Sequence, residues 1–285
     1  MAEHPVIDLH MHSTVSDGTD TPAELLSRVR EAGIERFSVT DHDAISACEQ
    51  IARLLQPGDP KFLYGVEFSC KDALGKYHVL GYRYDPSAPS IRSLTAFAHE
   101  NRMRKLDARL ERLRGEYGLF FSERDVRALH ALSNPGKPHL ARLMVLYGYA
   151  ESIGRAFSDV LNRLHVPGDY VRPEDAIAGI LGAGGIPVLA HPCFGDGDQR
   201  IFGQELEDRV VRLIGFGIKG LEGFYSGFDR DRREQVLALA ERHGLYVTAG
   251  SDYHGGNKQI RLAQTGLMPE TPLPKGLERF LKDAF

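Results

Sequence analysis

The stretch V-I-D-L-H-M-H, residues 6–12, decides the fold of this chain. It reads as an apolar strand that runs into His10 and His12, which are spaced so that both side chains share one face of the strand. Six further strand-like runs end on, or lead into, a histidine or an acid. Their polar residues are Asp41 with His42, Glu67, His78, His191, Glu222, and Asp252 with His254. Loops at the C-terminal ends of barrel strands converge on one point, so this repetition predicts an α/β barrel with a metal site across one mouth.

Alternating strand and helix patterns predict how the barrel is built. Residues 6–84 read as β-α-β-β-β, and Thr21-Pro22-Ala23-Glu24 has the N-cap, N1 and N3 residues of a helix start. Later strands alternate with helices, which favours right-handed βαβ units and a parallel sheet. After the first strand, the predicted strands cover residues 37–40, 62–68, 77–84, 186–190, 220–224 and 245–249. The count is seven, so the expected fold is a distorted (β/α)7 TIM-like barrel.

The middle of the chain has a different character. From about residue 90 to 164 it is rich in Arg, Leu and Glu at helical spacing and shows no convincing strand. Helices are predicted near 122–132, 138–149 and 152–164. We therefore expect a metal-binding barrel made of residues 1–89 and 168–285, with a small all-helical cap domain, residues 90–167, inserted to bind substrate.

Composition excludes several classes of function. The chain has 285 residues and a formal net charge of −4, which disfavours duplex nucleic acid and membranes as partners. Neither a signal peptide nor a spanning segment is predicted. Three widely spaced cysteines without a C-x-x-C pattern favour a reducing, cytoplasmic setting over a disulfide framework. The oligomeric state stays open.

Nine residues form the predicted metal site. Asp17, in the S-D-G loop after the first strand, joins the strand-end residues, whereas Glu222 has no motif role. Imidazole and carboxylate donors without thiolate suit catalytic Mn, Fe or Zn, and nine donors suit two or three ions. Such ions activate a bridging hydroxide for in-line attack on phosphorus. The predicted ligands are His10, His12, Asp17, His42, Glu67, His78, His191, Asp252 and His254.

These motifs resemble those of a known family. D-L-H-M-H-S, S-D-G, T-D-H-D, G-V-E, a lone strand histidine, A-H-P and G-S-D-Y-H, in this order, are similar to the motifs of the PHP (polymerase and histidinol phosphatase) phosphoesterases. The helical insert resembles the branch with nucleoside 3′,5′-bisphosphate phosphatases and RNase-like or cyclic-phosphate-hydrolysing members. The resemblance implies three metal positions, and their ligand sets are His10, His12, Glu67 and Asp252; Glu67, His78 and His191; and Asp17, His42 and His254. Asp8 and Asp41 are expected to orient the imidazoles.

Candidate substrate-binding residues lie mainly in the insert. In N-P-G-K-P-H-L-A-R, Lys137 and His139 precede a predicted helix that carries Arg142, and a helix N-terminus with added cations can bind a phosphate. The resembling family uses the corresponding stretch for a phosphate remote from the reacting one. Asn101 and Arg102 are expected to face the cleft. Tyr225 is a candidate to stack on a base or sugar, and His139 is a candidate proton donor, although no catalytic residue is assigned.

The predicted function is metal-dependent hydrolysis of a phosphate ester, with a metal-bridging hydroxide as the nucleophile. The preferred substrate is a nucleoside 3′,5′-bisphosphate. The alternatives are a phosphorylated ribose cyclic phosphate and, through 5′–3′ exonuclease action, a short RNA. A metal-dependent amidohydrolase is disfavoured because no predicted strand ends in the lysine such a site uses, and a non-catalytic polymerase module is disfavoured because the ligand set is complete.

Overall fold

A seven-stranded sheet forms the centre of the protein in the computed structural model, which describes residues 4–166, 168–196 and 199–285. The strands are neighbours in chain order: β1 (Ile7–Asp8), β2 (Arg36–Val39), β3 (Lys61–Asp72), β4 (Gly75–Tyr82), β5 (Ile186–Leu189), β6 (Gly220–Tyr225) and β7 (Tyr246–Gly250). Leu9 N donates to Ala249 O at 2.9 Å, so the chain just after β1 meets β7 and the sheet is nearly closed. The predicted distorted, seven-stranded TIM-like barrel is confirmed.

One strand of the barrel runs against the others. β1, β2 and β3 are parallel, and so are β5, β6 and β7, whereas β4 is antiparallel to both of its neighbours. Asp72 pairs with Gly75 at the turn between β3 and β4. A connection this short can only make a hairpin, because a parallel crossover needs about a dozen residues or more. The β3–β4 hairpin therefore breaks the parallel pattern at the middle of the sheet.

Ten α-helices surround or extend the barrel in the described ranges. They are α1 (Pro22–Glu31), α2 (Ser46–Leu54), α3 (Pro89–Tyr117), α4 (Glu123–His130), α5 (Lys137–Leu146), α6 (Ile153–Ala156), α7 (Pro173–Gly182), α8 (Gly203–Phe216), α9 (Arg230–Arg242) and α10 (Lys275–Ala284). α1 begins as predicted, since Thr21 Oγ1 accepts from Glu24 N at 3.3 Å and Thr21 N donates to Glu24 Oε2 at 2.8 Å. None of these helices, as far as the chain is described, has the length and apolar character needed to cross a bilayer.

Helices α3 to α6 lie between β4 and β5 and have an apolar cluster of their own. We call residues 89–164 the helical region. Its buried cluster includes Leu106, Leu113, Leu129, Leu140, Met144 and Leu161. The first half of α3, however, packs into the barrel core through Ile91, Leu94 and Ala98. α3 thus joins the barrel to the helical region without a break. The expected division of the chain into two domains stays a prediction, and Pro167, at its second boundary, lies outside the described residues.

Candidate metal centre

The nine predicted ligands come together at one mouth of the barrel. His10 and His12 follow β1, His42 follows β2, and His191 follows β5. β3 and β4 are longer strands, so their ligands lie within them and face the same point. Parallel bridges pair Met11 with Tyr253 and His42 with Glu67, which aligns the ends of neighbouring strands. The full set is His10, His12, Asp17, His42, Glu67, His78, His191, Asp252 and His254.

Two of these residues have unfavourable backbone conformations. His191 has a φ of 28° and Asp252 a φ of 60°, in the left-handed region that non-glycine residues seldom adopt. Such strain persists only where the surrounding structure enforces it, and it is concentrated at functional sites. Both residues are thus turned towards the barrel mouth at a cost in backbone energy.

Four donor atoms, one of them a carboxylate oxygen of Glu67, form a first group. Glu67 Oε2 lies 3.3 Å from His10 Nε2 and 3.2 Å from His12 Nε2. Asp252 Oδ1 lies 3.6 Å and 3.3 Å from the same two nitrogens. These are the four residues that the family resemblance implies for one metal ion.

The other carboxylate oxygen of Glu67 belongs to a second group. Glu67 Oε1 lies 2.9 Å from His78 Nδ1 and 3.3 Å from His191 Nε2, and the two nitrogens are 3.2 Å apart. Glu67 thus presents one oxygen to each group, which is the arrangement expected of a bridging ligand.

A third group surrounds Asp17. Its Oδ1 lies 3.3 Å from His254 Nε2, 4.0 Å from His42 Nε2 and 3.9 Å from His12 Nδ1. His42 also presents its Nδ1 to Glu67 Oε2 at 3.0 Å. His12 and His42 therefore each face two groups, which the assignment by resemblance does not include.

The donor atoms fit divalent metal ions. His10 Nε2, His12 Nε2, His42 Nδ1 and Glu67 Oε2 are buried and have no hydrogen-bond partner. Buried polar atoms without a partner are costly, and here four of them face one another. Ligand atoms about 2.1 Å from a tetrahedral ion lie roughly 3.4 Å apart, close to the separations in all three groups. The residues present therefore match a site for clustered cations.

Neighbouring positive charge keeps the carboxylates of the site ionised. Burial alone raises the pKa of Glu67, but the charges of His10 and His78 outweigh burial and hold this pKa well below its usual range. The same balance of burial against neighbouring positive charge holds the pKa values of Asp17 and Asp252 well below the ordinary value.

Glu222, which the motif comparison set aside, orients two of the ligands. His10 Nδ1 donates to Glu222 Oε1 at 2.8 Å, and the backbone N–H of His191 donates to Glu222 Oε2 at 2.8 Å. The first bond fixes the tautomer of His10 and leaves its Nε2 free for a cation. The signal was present in the sequence, because Glu222 lies in a strand-like run as the other ligands do.

Asp8 and Asp41, which were expected to orient imidazoles, accept hydrogen bonds from the loops beside the predicted ligands. Asp8 accepts the backbone N–H groups of Ser251 at 2.9 Å and Ala263 at 2.8 Å. Asp41 accepts Ser13 N at 2.8 Å and Ser16 Oγ at 2.5 Å. Both carboxylates hold the loops that carry the predicted ligands. None of these four hydrogen bonds reaches an imidazole directly, but Ser16 Oγ lies 3.4 Å from His12 Nδ1 and links it to Asp41.

Asp252 is fixed by two residues, one of which the sequence reading missed. Its Oδ2 accepts from Lys258 Nζ at 2.5 Å and from Tyr225 Oη at 3.0 Å, which leaves Oδ1 facing the histidines. Tyr225 thus contacts a predicted ligand, and its predicted role of stacking on substrate stays a prediction. Its ring also lies against His191, with centroids 5.3 Å apart.

A cavity of about 250 Å³ opens between the barrel mouth and the helical region. Asp17, His42 and His78 line it on the barrel side. Of the predicted substrate-binding residues, Asn101, Arg102 and Lys137 line it. The sequence reading missed three further lining cations, Lys76, Lys105 and Arg109. Arg102 is tied to the barrel, since its Nε donates to Asp43 Oδ2 at 2.7 Å and its Nη2 to Ser69 Oγ at 3.0 Å.

The remaining two predicted substrate contacts have other partners. His139 Nδ1 accepts from Gly136 N at 3.1 Å at the start of α5, and burial lowers the pKa of His139 to about 4. An imidazole that is uncharged at neutral pH is poorly suited to donate a proton, so that role stays a prediction. Arg142 Nη2 donates to the backbone oxygens of Asp17 at 3.2 Å and Gly18 at 3.5 Å. Arg142 therefore supports the loop of a predicted ligand.

Comparison with known proteins agrees with this geometry. The PHP domain model matches residues 8–155. A 3′,5′-nucleoside bisphosphate phosphatase from Chromobacterium violaceum is 31% identical, over 87% of each chain. A phosphoribosyl 1,2-cyclic phosphate 1,2-diphosphodiesterase from Eggerthella lenta is 30% identical, over 87% of this chain and 94% of its own.

A solved structure shares the whole fold. A Bifidobacterium adolescentis protein described as a metal-dependent phosphoesterase superposes with a TM-score of 0.84 at 29% identity, covering 99% of this chain and 98% of its own. The family match, the two relatives and the fold all agree with the motifs at the barrel mouth. This chain belongs to the PHP family of metal-dependent phosphoesterases.

Proposed function

We propose that the protein hydrolyses a phosphate ester of a small substrate that carries a second phosphate or a cyclic phosphate, with a nucleoside 3′,5′-bisphosphate preferred. The proposal rests on residues that belong both to the ligand cluster and to the lining of the cation-rich cavity. Asp17, His42 and His78 belong to both. A phosphate at the cluster would therefore have positively charged side chains within reach of the rest of its molecule.

The proposed cofactors are three divalent ions of Mn, Fe or Zn. The first would be held by His10, His12, Glu67 and Asp252, the second by Glu67, His78 and His191, and the third by Asp17, His42 and His254. Bound ions of this kind lower the pKa of water and neutralise phosphate oxygens.

The protein's own groups would position the ligands and the substrate. Glu222 fixes the ring of His10, and Tyr225 with Lys258 fixes the carboxylate of Asp252. Lys137 would supply positive charge in the cavity for the substrate's remaining anionic group, and Arg102, which is already paired with Asp43, would offer its remaining N–H groups. Arginine is suited to bind phosphate through paired hydrogen bonds, and lysine acts as a point charge.

The alternatives differ in the molecule that enters the cavity. The relative from Eggerthella lenta acts on a phosphoribosyl cyclic phosphate, so this class is the second candidate. A cavity of about 250 Å³ is small for anything beyond one nucleotide, which places a short RNA, entering by one end, third. An amidohydrolase is disfavoured because it has no use for the cations opposite the ligand cluster.

The proposal is tested by phosphate release from Mn-loaded protein. Adenosine 3′,5′-bisphosphate, a phosphorylated ribose cyclic phosphate, a short 5′-phosphorylated RNA and p-nitrophenyl phosphate are compared at equal concentration. We expect the bisphosphate to give the highest kcat/KM, and elemental analysis to find three metal ions per chain. Absence of hydrolysis of every ester would refute the activity, and a metal content of one would refute the three-ion site.

A further inference from the structure

Two side chains hold the loop that carries the predicted ligand Asp17. Arg142 Nη2, from α5, donates to the backbone oxygens of Asp17 at 3.2 Å and Gly18 at 3.5 Å. Asn257 Nδ2, from the loop after β7, donates to the same backbone oxygen of Asp17 at 2.5 Å. The backbone of this predicted ligand is therefore held from two sides, one of them the helical region.

The loop that carries His42 also has a contact with the helical region. Asn134, between α4 and α5, is 3% exposed and donates its Nδ2 to the backbone oxygen of His42. Asn134 Oδ1 is buried without a hydrogen-bond partner, so the residue bears a cost in desolvation. A buried amide that satisfies only half of its hydrogen-bonding groups is therefore spent on the backbone of His42.

Backbone strain marks the position next to His42. Asp43 has a φ of 53°, in the left-handed region that non-glycine residues seldom adopt. Its Oδ1 accepts from Ser69 N at 2.8 Å, and its Oδ2 lies 2.5 Å from Nη2 of Arg102 on α3. Such strain persists only where neighbouring groups enforce it, and Arg102 is one of those groups. The helical region therefore also holds the backbone that follows His42.

The first and second groups of ligands are held from within the barrel. Glu222 orients two of their histidines, and Tyr225 with Lys258 fixes their aspartate. Within the described ranges, no hydrogen bond or ion pair joins the helical region to the predicted ligands of these groups, which are His10, His12, Glu67, His78, His191 and Asp252. The contacts of the helical region are thus confined to loops that carry the third group.

The third group is also the most loosely assembled. The separations from Asp17 Oδ1 to its three nitrogens are 3.3–4.0 Å, against 3.2–3.6 Å in the first group and 2.9–3.3 Å in the second. Two ligand atoms about 2.1 Å from one ion can be at most about 4.2 Å apart. Asp17 Oδ1 and His42 Nε2, at 4.0 Å, are close to this limit. A small displacement of either loop would put the two residues out of reach of one ion.

We propose that the helical region completes the third metal position by holding Asp17 and His42 in place. The positioning residues are Arg102, Asn134 and Arg142. The proposed function, on which this inference rests, places a third ion among Asp17, His42 and His254. Because coupling between two binding events is reciprocal, an ion at this position would in turn stabilise the contact between the helical region and the barrel.

Metal titration tests this inference. Equilibrium dialysis at known free Mn²⁺ concentrations, followed by elemental analysis, gives the number and affinity of the ions in the wild type, Asn134→Ala and Arg142→Gln. We expect one of three ions to bind roughly 10-fold more weakly in each variant, as is usual for residues that support a ligand, while the other two keep their affinity. Asn162→Ala, at an exposed asparagine of the helical region, is the matched control and should bind all three ions normally.

Two further measurements separate loss of a contact from loss of folding. Arg142→Lys keeps a charged donor and should recover most of the metal affinity that Arg142→Gln loses. Amide hydrogen exchange in α5 should slow roughly 10-fold when Mn²⁺ saturates the wild type, and it should slow less in Asn134→Ala.

The outcomes distinguish this inference from the proposed function. Fewer than three ions in the wild type would refute the three-ion site, and the role of the helical region with it. Three ions of unchanged affinity in both Asn134→Ala and Arg142→Gln would overturn the role of the helical region alone. Equal weakening of all three ions would also overturn it, because the contacts would then support the whole cluster.

Discussion

The ligand cluster at the barrel mouth and one face of α3, where Asn101, Lys105 and Arg109 are buried, treat charge in opposite ways. In the cluster, histidines and carboxylates face one another at 2.9–4.0 Å, yet several buried donor atoms lack hydrogen bonds. On that face of α3, Lys105 contacts a backbone carbonyl and an aromatic ring, whereas Arg109 Nε is buried without a hydrogen-bond partner. The cluster is complementary to cations and this face of α3 to an anion. A phosphate ester with a second phosphate, the substrate proposed above, would use both.

The largest expected effect comes from Glu67, whose two oxygens serve two groups of donors. We expect Glu67→Gln to lower kcat/KM by roughly 10³-fold for every ester, because two ions lose a charged ligand at once. Elemental analysis should show fewer ions per chain than in the wild type. Glu123→Gln, at an exposed site, is the control. Full metal content together with full activity would break the account of the cluster.

Glu222 tests whether the cluster depends on groups outside it. In Glu222→Gln the acceptor for His10 Nδ1 is weaker, and we expect metal affinity to fall roughly 10- to 100-fold, as is usual for partners of ligating histidines. Metal titration followed by calorimetry measures this directly, with the exposed Glu241→Gln as the matched variant. Wild-type affinity in Glu222→Gln would mean that His10 is oriented by packing alone.

An Arg142 variant distinguishes an effect on the ligand cluster from an effect on the binding of a second phosphate. Its contacts with the backbone of the Asp17 loop predict that Arg142→Gln lowers kcat/KM about 3- to 10-fold, less than a full charge-assisted hydrogen bond because water can replace it. The loss should be equal for adenosine 3′,5′-bisphosphate and p-nitrophenyl phosphate. A loss confined to the bisphosphate would instead assign Arg142 to the second phosphate, and Arg124→Gln supplies an exposed comparison.

The smallest effect concerns stability and pH. Burial lowers the pKa of Lys105 to about 7, below its unfolded value, so the unfolded chain binds more protons above that pH. The free energy of unfolding should therefore rise with pH between about 7 and 10, by at most about 1 kcal/mol per pH unit from this group. Urea unfolding at several pH values should show a shallower rise in Lys105→Met than in Lys219→Met, whose lysine is exposed. Parallel curves would show that Lys105 is not electrostatically strained.

The residues of the ligand cluster could be predicted from the sequence because each of them is marked by a local pattern. His10, His42 and His191 each follow a strand, and strand ends in a barrel converge whatever the details of packing. Glu222 was set aside only because it has no counterpart among the family's motifs, although its strand pattern matched the others.

The burial of Lys105 and Arg109 could not be predicted from the sequence, for a physical reason. Lysine and arginine on a long helix are usually solvated, and whether Lys105 or Arg109 is buried depends on what packs against that face. The burial comes from distant residues such as Tyr170, which no local pattern connects to α3. For the same reason the sequence could not show that Arg142 contacts the Asp17 loop.

Helix α3 runs from Pro89 to Tyr117 without interruption and is anchored in both apolar cores. A straight helix of this kind has a fixed length per turn of about 5.4 Å. The distance along α3 from Arg102, at the barrel mouth, to Arg109 is then set by the number of residues between these two positions. Adding or removing one turn between Arg102 and Lys105 would move Lys105 and Arg109 relative to the barrel mouth, while every predicted metal ligand kept its place.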